Sequence, residues 1–400
     1  MEEIVILGGG AAGMAAAIAA SVSPARHVTL IERQSRVGRK LLSTGNGRCN
    51  LTNLGASPAH YHGEAPEFVA PALREFPPER VLEFFSGLGL ATVTEYGGRV
   101  YPMSDHAGSV LDVLRLALDR PNITLRTGAA AEQVTRRGGK FEISLPEETL
   151  RADRLIVACG GCAGSKLGGV MDGYNLLKAL GHSRTALYPA LTQLRTVPDY
   201  PRALKGIRAD GTVTLRRGKT VLAEAEGDIL FTDTGLSGTA VFEISRAAAG
   251  QENLSAALCF FPGEESALLA DLRTRRARWP EQPANQILTG TVQSRLGQML
   301  CKYAGISGGA LTKDLRDAEL AVLAHAMKEF VLPVTGVSGF ESAQVTAGGV
   351  KTSEFDPETL QSRLVPGLYA CGEVLDVDGD CGGYNLQWAW ASGLLAGALR

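Results

Sequence analysis

The sequence has no excess of charge of either sign. Forty Lys and Arg against 42 Asp and Glu leave a formal net charge of −2 and a pI near 6.3. That balance excludes a chain whose main work is to spread a basic field over nucleic acid or an anionic membrane. There is no positive stretch ahead of the first apolar run, because Met1-Glu2-Glu3 leads straight into Ile4-Val5-Ile6-Leu7; no secretory leader is expected. No disulfide framework exists either, the seven cysteines being odd in number and scattered. A cytoplasmic chain with reduced thiols is the expectation. Internal repeats and low-complexity tracts are absent. The stretch from Ile4 to Val22 is apolar, but four glycines interrupt it and a charged, strand-like segment follows, so it reads as a buried strand–turn–helix and no membrane association is expected.

Glycine, by contrast, is abundant. Forty-eight of the 400 residues are glycine, against a usual share of ~7%. They bunch at Gly8-Gly9-Gly10, Gly97-Gly98, Gly160-Gly161, Gly348-Gly349 and Gly382-Gly383. Glycine bunched beside apolar strands marks places where backbone turns sharply or approaches a ligand. A chain of this length holds two or three domains at ~150 residues each.

The first 33 residues are the most informative. Ile4–Leu7 is a buried strand, Ala11 to about Ser21 a helix, and Val28–Ile31 a second strand ending on Glu32. Between strand and helix lies Gly8-x-Gly10-x-x-Gly13, and Glu32 follows Gly8 by 24 residues. In that context the glycines permit a tight turn and close approach to a pyrophosphate, which sits on the helix N-terminus; the acid takes a ribose hydroxyl and repels a 2′-phosphate. Helical patterns are expected over 65–88, 108–118 and 173–180, and strands at 123–126, 129–136, 140–145 and 155–158. Residues 190–231 alternate as antiparallel strands do. Helical periodicity fills 264–328, strands return at 330–337 and 343–346, and a helix closes the chain from about Asn385. Gly372-Glu373 ends an apolar strand and Gly382-Gly383-Tyr384-Asn385 opens that last helix, so a long dinucleotide could be held at both ends.

Several long motifs resemble those of a bacterial flavoprotein family of the aminoacetone oxidase and 3-dehydro-bile-acid reductase type. They are Gly38 to Asn53, Gly98-Arg99-Val100-Tyr101-Pro102, Lys166-Leu167-Gly168, Phe231 to Gly238, Val345 to Val350, and Pro366 to Gly393. The resemblance covers nearly the whole chain. It implies an α/β fold: a two-part FAD/NAD(P)-binding Rossmann-like domain (1–188 and 338–400), an inserted β-barrel-like module (189–262 and 328–337) and a small helical module (263–327). It also implies FAD, held by Gly8, Gly10, Ala11, Ala12 and Gly13 at the pyrophosphate, by Glu32 and Arg33 at the adenosine side, and by Lys40, Gly45, Asn46, Gly47, Arg48, Cys49 and Asn50 along the cofactor. Ala131, Ala158, Gly160 and Gly372 complete the cradle. Glu373 is expected at the ribityl chain, and Gly383, Asn385 and Leu386 at the pyrimidine edge.

Where such proteins usually read Ala-Thr-Gly-Gly, this chain has Ala158-Cys159-Gly160-Gly161, and Cys162 completes a C-x-x-C. Two reduced small residues at a strand end are the plainer account; a redox dithiol is the sharper one. Cys381 reads as packing near the flavin, and Cys49, Cys259, Cys301 and Cys371 as apolar fillers. His60-x-His62 has no cysteine or carboxylate at zinc spacing, so no metal is expected. Arg273, Arg275, Arg276 and Arg278 form a basic cluster; a solvated helix face accounts for it better than nucleic acid.

Three functions follow from the resemblance. One is an FAD enzyme that takes hydride from NAD(P)H and reduces an activated C=C bond of a small molecule such as a 3-oxo bile-acid enone. The second is an oxidase of a small amine such as aminoacetone. The third is a flavin-containing binding or RNA-modifying protein. No catalytic residue stands out; among the donors Arg48, Arg99, Tyr101 and Tyr384, Tyr384 is favoured by position, with packing under the flavin ring as its alternative. The sequence says nothing of oligomeric state.

Overall fold

The computed structural model describes residues 1–400, which divide into two compact units: Met1–Tyr188 with Gln344–Arg400, and Pro189–Ala343. No helix is long and apolar enough to cross a membrane.

The first unit is built on five parallel strands in the spatial order Ile123–Thr127, Arg26–Glu32, Glu2–Leu7, Arg154–Val157, Leu368–Ala370. Chain order along the sheet is thus 3-2-1-4-5, the dinucleotide-binding arrangement, whose direction reverses beside the first strand. A ligand crevice belongs outside the carboxyl ends at that reversal, between Gly8 and Ala158. The strands read as continuous apolar runs because both faces are covered: Ile4, Ile6, Val28, Leu30, Leu155 and Ile156 are fully buried. Helix Ala11–Ala20 packs against the last helix, Tyr384–Ala398. Small residues permit the approach, since a Cβ at Gly393 or Gly397 would overlap the carbonyl oxygens of Ala12 and Ala16. This explains a first helix that is apolar all round. It is sandwiched inside the domain.

Three departures from the sequence expectation are local. The segment expected to be one helix over 65–88 is a short turn, a helix Ala70–Glu75 and a helix Pro78–Gly87, because Pro77-Pro78 stops one helix and starts the next. The strand expected from Ala129 begins at Gln133, leaving Ala131 in the connection. Within 190–231 a five-residue helix, Asp199–Ala203, interrupts the strands.

The second unit contains a closed six-stranded barrel, Leu194–Thr196, Gly235–Ser237, Thr220–Phe231, Arg208–Arg217, Leu254–Cys259 and Phe330–Val337. Helices Glu265–Arg278, Ser294–Tyr303 and Asp317–Lys328 share one apolar core with it, through Leu268, Leu272, Leu300, Leu320 and Leu323 beside Leu258, Phe330 and Leu332.

Candidate active site

The glycine turn is shaped by contacts that only glycine allows. Gly8 has φ +107°, and a Cβ there would overlap the carbonyl of Ala158, while a Cβ on Gly13 would overlap the carbonyl of Gly8. Strand, helix and the neighbouring strand end are therefore in direct backbone contact. Gly10 differs: a Cβ there would meet no protein atom within 4 Å. It is the N-cap of helix Ala11–Ala20, which has neither a capping side chain nor an acid in its first turn. The N–H groups around Ala11, Ala12 and Gly13 lack an intrahelical partner, so an open, positively polarised end faces free space. An anion fits there. Gly160, with φ +71°, likewise meets nothing within 4 Å.

Glu32 is aimed into this turn. Its Oε2 accepts the Gly9 N–H at 2.8 Å and its Oε1 accepts the Gln34 N–H at 2.7 Å. The carboxylate is pinned, and its remaining lone pairs stay available to hydroxyl donors. Arg33, beside it, pairs with Asp172 at 3.0 Å on the surface. Ala131 lies half-buried in the connection after strand Ile123–Thr127.

The second end of the site comes from distant segments. Lys40 Nζ donates to Glu373 Oε2 at 2.8 Å, and Glu373 Oε1 accepts the Thr346 N–H at 2.8 Å. Gly372, at φ +74°, packs against Ala12 and gives its N–H to Ser392 Oγ at 3.0 Å. Between Gly45 and Cys49 the backbone is left-handed at Gly45, Asn46, Gly47 and Cys49. Such conformations are rare for Asn and Cys and hold only where the surroundings enforce them. Cys49 is fully buried, and burial pushes its thiol up to about 12. Arg48 does not lie open along this loop. Its guanidinium bonds Glu95 and Asp105 and covers the Tyr101 ring at 4.0 Å.

Asn50 supplies the informative atom. Its Oδ1 is buried without a hydrogen-bond partner, and it lies where a Cβ on Gly383 would crowd it. Gly383 caps the last helix with φ 104°, again without a side-chain cap or an acid in the first turn. An orphaned acceptor beside an uncapped helix start fits a ligand that brings N–H donors together with negative charge. The pyrimidine edge of a flavin has both. The side chain of Asn385 is otherwise engaged: it clamps Gly379 through both its amide atoms (2.8 and 2.7 Å). Only the backbone at Asn385 and Leu386 is left for a ligand.

Tyr384 is buried. Its ring stacks on His60 at 4.2 Å and meets Tyr61 edge-on at 6.4 Å, and Tyr61 donates its hydroxyl to the Tyr384 carbonyl at 3.0 Å. His60 and His62 share one carboxylate that no local spacing announces. Asp380 Oδ2 bonds His60 Nδ1 at 2.9 Å and Oδ1 bonds His62 Nε2 at 2.7 Å. Burial would raise the Asp380 carboxyl, but the two imidazole hydrogen bonds outweigh it and hold it below the ordinary carboxylate range. The pairing of Asp378-Gly379 with Tyr61-His62 makes the cluster.

The cysteine pair carries no disulfide. Cys159 donates to the Leu7 carbonyl, while Cys162 faces the Val170 carbonyl and Met171. Burial pushes the Cys159 thiol up to about 12, the wrong direction for a reactive thiolate. In the second unit, Arg273 and Arg276 both pair with Asp317 at 2.8 Å, and Arg275 pairs with Asp271. Three of the four clustered arginines thus have carboxylate partners, and Arg278 lies over the Trp279 ring at 5.1 Å.

A 3-2-1-4-5 parallel sheet, an open glycine turn with its acid and a second uncapped helix start define the class as a Rossmann-fold flavoprotein of the oxidoreductase kind. The chain belongs to the family described as HI0933-like protein Rossmann domain, which matches residues 2–399. Among relatives, it is 42% identical to the 3-dehydro-bile acid delta(4,6)-reductase of Clostridium scindens, covering 99% of this chain and 98% of that one. It is 32% identical to the ribosomal RNA dihydrouridine synthase of Escherichia coli, covering 98% and 96%. Among solved structures, the 3-ketosteroid delta1-dehydrogenase of Sterolibacterium denitrificans in complex with 1,4-androstadiene-3,17-dione superposes with a TM-score of 0.52 at 13% identity, over 100% and 99% of the two chains. That likeness is one of fold.

Proposed function

We propose that this protein is an FAD-dependent reductase of a C=C bond conjugated to a carbonyl, in a polycyclic 3-oxo substrate, with NAD(P)H as the electron donor. The full-length 42% identity to a delta(4,6)-reductase carries the substrate class; the two-ended cradle supports FAD over a shorter flavin.

When bound, FAD supplies the hydride. The chain's own residues hold it and manage charge. The Gly8–Gly13 turn and the N-terminus of helix Ala11–Ala20 take the pyrophosphate. Glu32, already oriented by Gly9 and Gln34, accepts ribose hydroxyls. Lys40, Glu373 and Thr346 tie the loop at 38–50 to the far strand end. Asn50 Oδ1 accepts an N–H, and the start of the last helix favours negative charge beside it. The enone oxygen, which gains charge as the C=C bond is saturated, needs a donor; the candidates are Arg99 and Tyr384, which lie against Gly382, and Tyr101, which lies against Gly45.

A second reading has its own observation, the 32% identity to a ribosomal RNA dihydrouridine synthase. Its chemistry is close, because a dihydrouridine is a uridine whose C=C bond, conjugated to a ring carbonyl, has been saturated. The net charge of −2 and the pairing of three of the four clustered arginines with acids weigh against an RNA substrate for this chain. The amine-oxidase reading has no such observation behind it.

The test is anaerobic. The protein is loaded with FAD and reduced with NADH or NADPH, then mixed with a 4-ene or 4,6-diene 3-oxo steroid, with a uridine-bearing ribosomal RNA fragment, or with oxygen. Reoxidation by the steroid, much faster than by RNA or oxygen, is expected. Preference for RNA selects the second reading. Peroxide production driven by aminoacetone, with no response to enone, selects the oxidase.

A further inference from the structure

The spacing of His60-x-His62 excludes a metal site in the sequence, and the mechanism above leaves unused the cluster that the two histidines form with Asp380. Its geometry has the form of an oriented imidazole. Asp380 Oδ2 engages His60 at Nδ1; facing an ionised carboxylate, that nitrogen carries the proton when the ring is neutral. Nε2 has no hydrogen-bond partner. The ring plane is fixed by the stack on Tyr384, 4.2 Å away at an interplanar angle of 16°. Three restraints hold the turn that carries Asp380: the Asn385 clamp on Gly379, the Asp380 N–H to the His60 carbonyl at 3.0 Å, and the Asn53 amide to the Gly382 carbonyl at 3.0 Å. A carboxylate fixing one ring nitrogen while the other stays free is how a histidine is held ready to exchange protons.

Location gives this meaning. Tyr384 is the first residue of the last helix and follows Gly383, which lies against the orphaned Asn50 Oδ1. His60 therefore stacks on the side chain next in sequence to the glycine that lies against that atom. Its side chain is 35% exposed, as is that of His62, and that of Asp380 is 29% exposed. A proton lost there can be replaced from water. Tyr384, buried and held between two rings, is the poorer donor.

We propose that His60, oriented by Asp380, is the proton donor that completes reduction of the C=C bond. This rests on the reductase reading. With the hydride that bound FAD would supply bonded at the β-carbon, the π pair of the C=C bond forms a new C–H bond at the α-carbon with the proton from His60 Nε2. His60 is left neutral and regains a proton from solvent; Asp380 stays ionised throughout. The second imidazole, His62, holds the other carboxylate oxygen and is a positioning residue. The titratable groups facing His60 are Asp380, His62, Tyr61 and Tyr384, with Asp378 and Cys381 on the same turn.

The test uses FAD-loaded protein, prereduced, and the steroid enone, with His60→Gln, Asp380→Asn and Tyr384→Phe compared across pH. A positioned acid contributes about 10²–10⁴-fold. His60→Gln is expected to slow enone-driven reoxidation at least 100-fold and to abolish its loss at alkaline pH, with FAD content and reduction by NAD(P)H unchanged. Tyr384→Phe is expected to keep the alkaline limb. If His60→Gln keeps that limb, or Tyr384→Phe removes it, the proposal is overturned. A second readout needs no turnover: ¹⁵N spectra of the FAD-loaded, oxidised protein, with and without a phenolic steroid as enolate mimic. At high pH His60 is expected to hold its proton on Nδ1, to lose that preference in Asp380→Asn, and to shift when the phenol binds. If no enone reoxidises the wild-type protein, the reductase reading fails by that result alone. A His60 signal indifferent to both Asp380→Asn and the phenol overturns the proton-donor proposal even where enone reduction is intact.

Discussion

Lys40 and Glu373 lie 333 positions apart in the chain and meet at 2.8 Å between Nζ and Oε2. The same carboxylate reaches the Thr346 backbone with its other oxygen, so one side chain joins three segments around the site. Both partners are only partly exposed, at 32% and 20% of their side chains. A double-mutant cycle with Lys40→Met and Glu373→Gln should give a coupling of about 1 kcal/mol in urea unfolding, near the upper end for exposed pairs. FAD affinity should fall in each single variant, because the loop at 38–50 loses its tether. Additive stability effects would mean that the pair contributes nothing to the fold.

Glu32→Gln should cost stability as well as cofactor. Oε1 and Oε2 each accept a backbone N–H, and a glutamine can offer an oxygen to only one of them. Its amino group would oppose the other N–H, leaving a donor unsatisfied at about 1–3 kcal/mol. FAD affinity should fall by about tenfold or more through loss of a charge-assisted ribose contact. Calorimetry on cofactor-free protein separates the two effects. An unchanged melting temperature together with wild-type FAD affinity would remove Glu32 from the site.

What the sequence made legible was local. A β-branched run, a glycine turn and an acid-terminated strand lie within 33 residues, and each is dictated by its own neighbours. Cys159 and Cys162 were legible only as a spacing, and their environments, a carbonyl and a thioether, decided the matter. The Asp380 cluster was hidden because the pairing that creates it is two residues long, too short for alternation, and joins positions more than 300 apart. Asn385 could be read as facing the ligand because nothing local reveals that its amide closes on Gly379. Pro77-Pro78 could have been read as a helix break, and the apolar periodicity on either side of it masked that.

Acid should destabilise the protein through His182. Its side chain is fully buried, bonded through Nδ1 to Glu354 at 2.8 Å and through Nε2 to Ser362 Oγ at 3.0 Å, and stacked on Phe355 at 4.7 Å. Ser, His and Glu are in triad order here, yet Ser362 Oγ also accepts the N–H groups of Leu364 and Val365, which makes the group a structural clasp. Burial lowers the imidazole below its ordinary value of 6.5, against the pull of Glu354. Burial would raise Glu354, but hydrogen bonds from Ser183 and His182 outweigh it and lower it. Both depressed groups contribute stability that is present above their unfolded values and lost as pH falls. Unfolding free energy should therefore decline below about pH 6.5, by at most ~1.4 kcal/mol per pH unit from the histidine alone. His182→Gln should flatten the upper part of that decline. A profile identical to wild type between pH 6.5 and 5 would show that the imidazole is not held neutral by the fold.

Gly10 and Gly13 should separate cofactor binding from folding. An alanine at Gly13 would drive its Cβ into the Gly8 carbonyl, so Gly13→Ala must push strand and helix apart and should fail to fold or melt far below wild type. Gly10 has φ −80° and ψ −170°, which any residue adopts, and its Cβ would meet no protein atom within 4 Å. Gly10→Ala should therefore leave the cofactor-free protein with an unchanged melting temperature. If the space in front of the helix is where a pyrophosphate lies, the added methyl must collide with it, and FAD affinity should fall by at least tenfold. The measurement is a pair of thermal melts, with and without added FAD. Wild type should gain stability with FAD concentration in proportion to RT ln(1 + [L]/Kd), and Gly10→Ala should gain much less at the same concentration. Equal gains in the two proteins would mean that the dinucleotide does not approach this helix, and the placement of its phosphates would have to be abandoned.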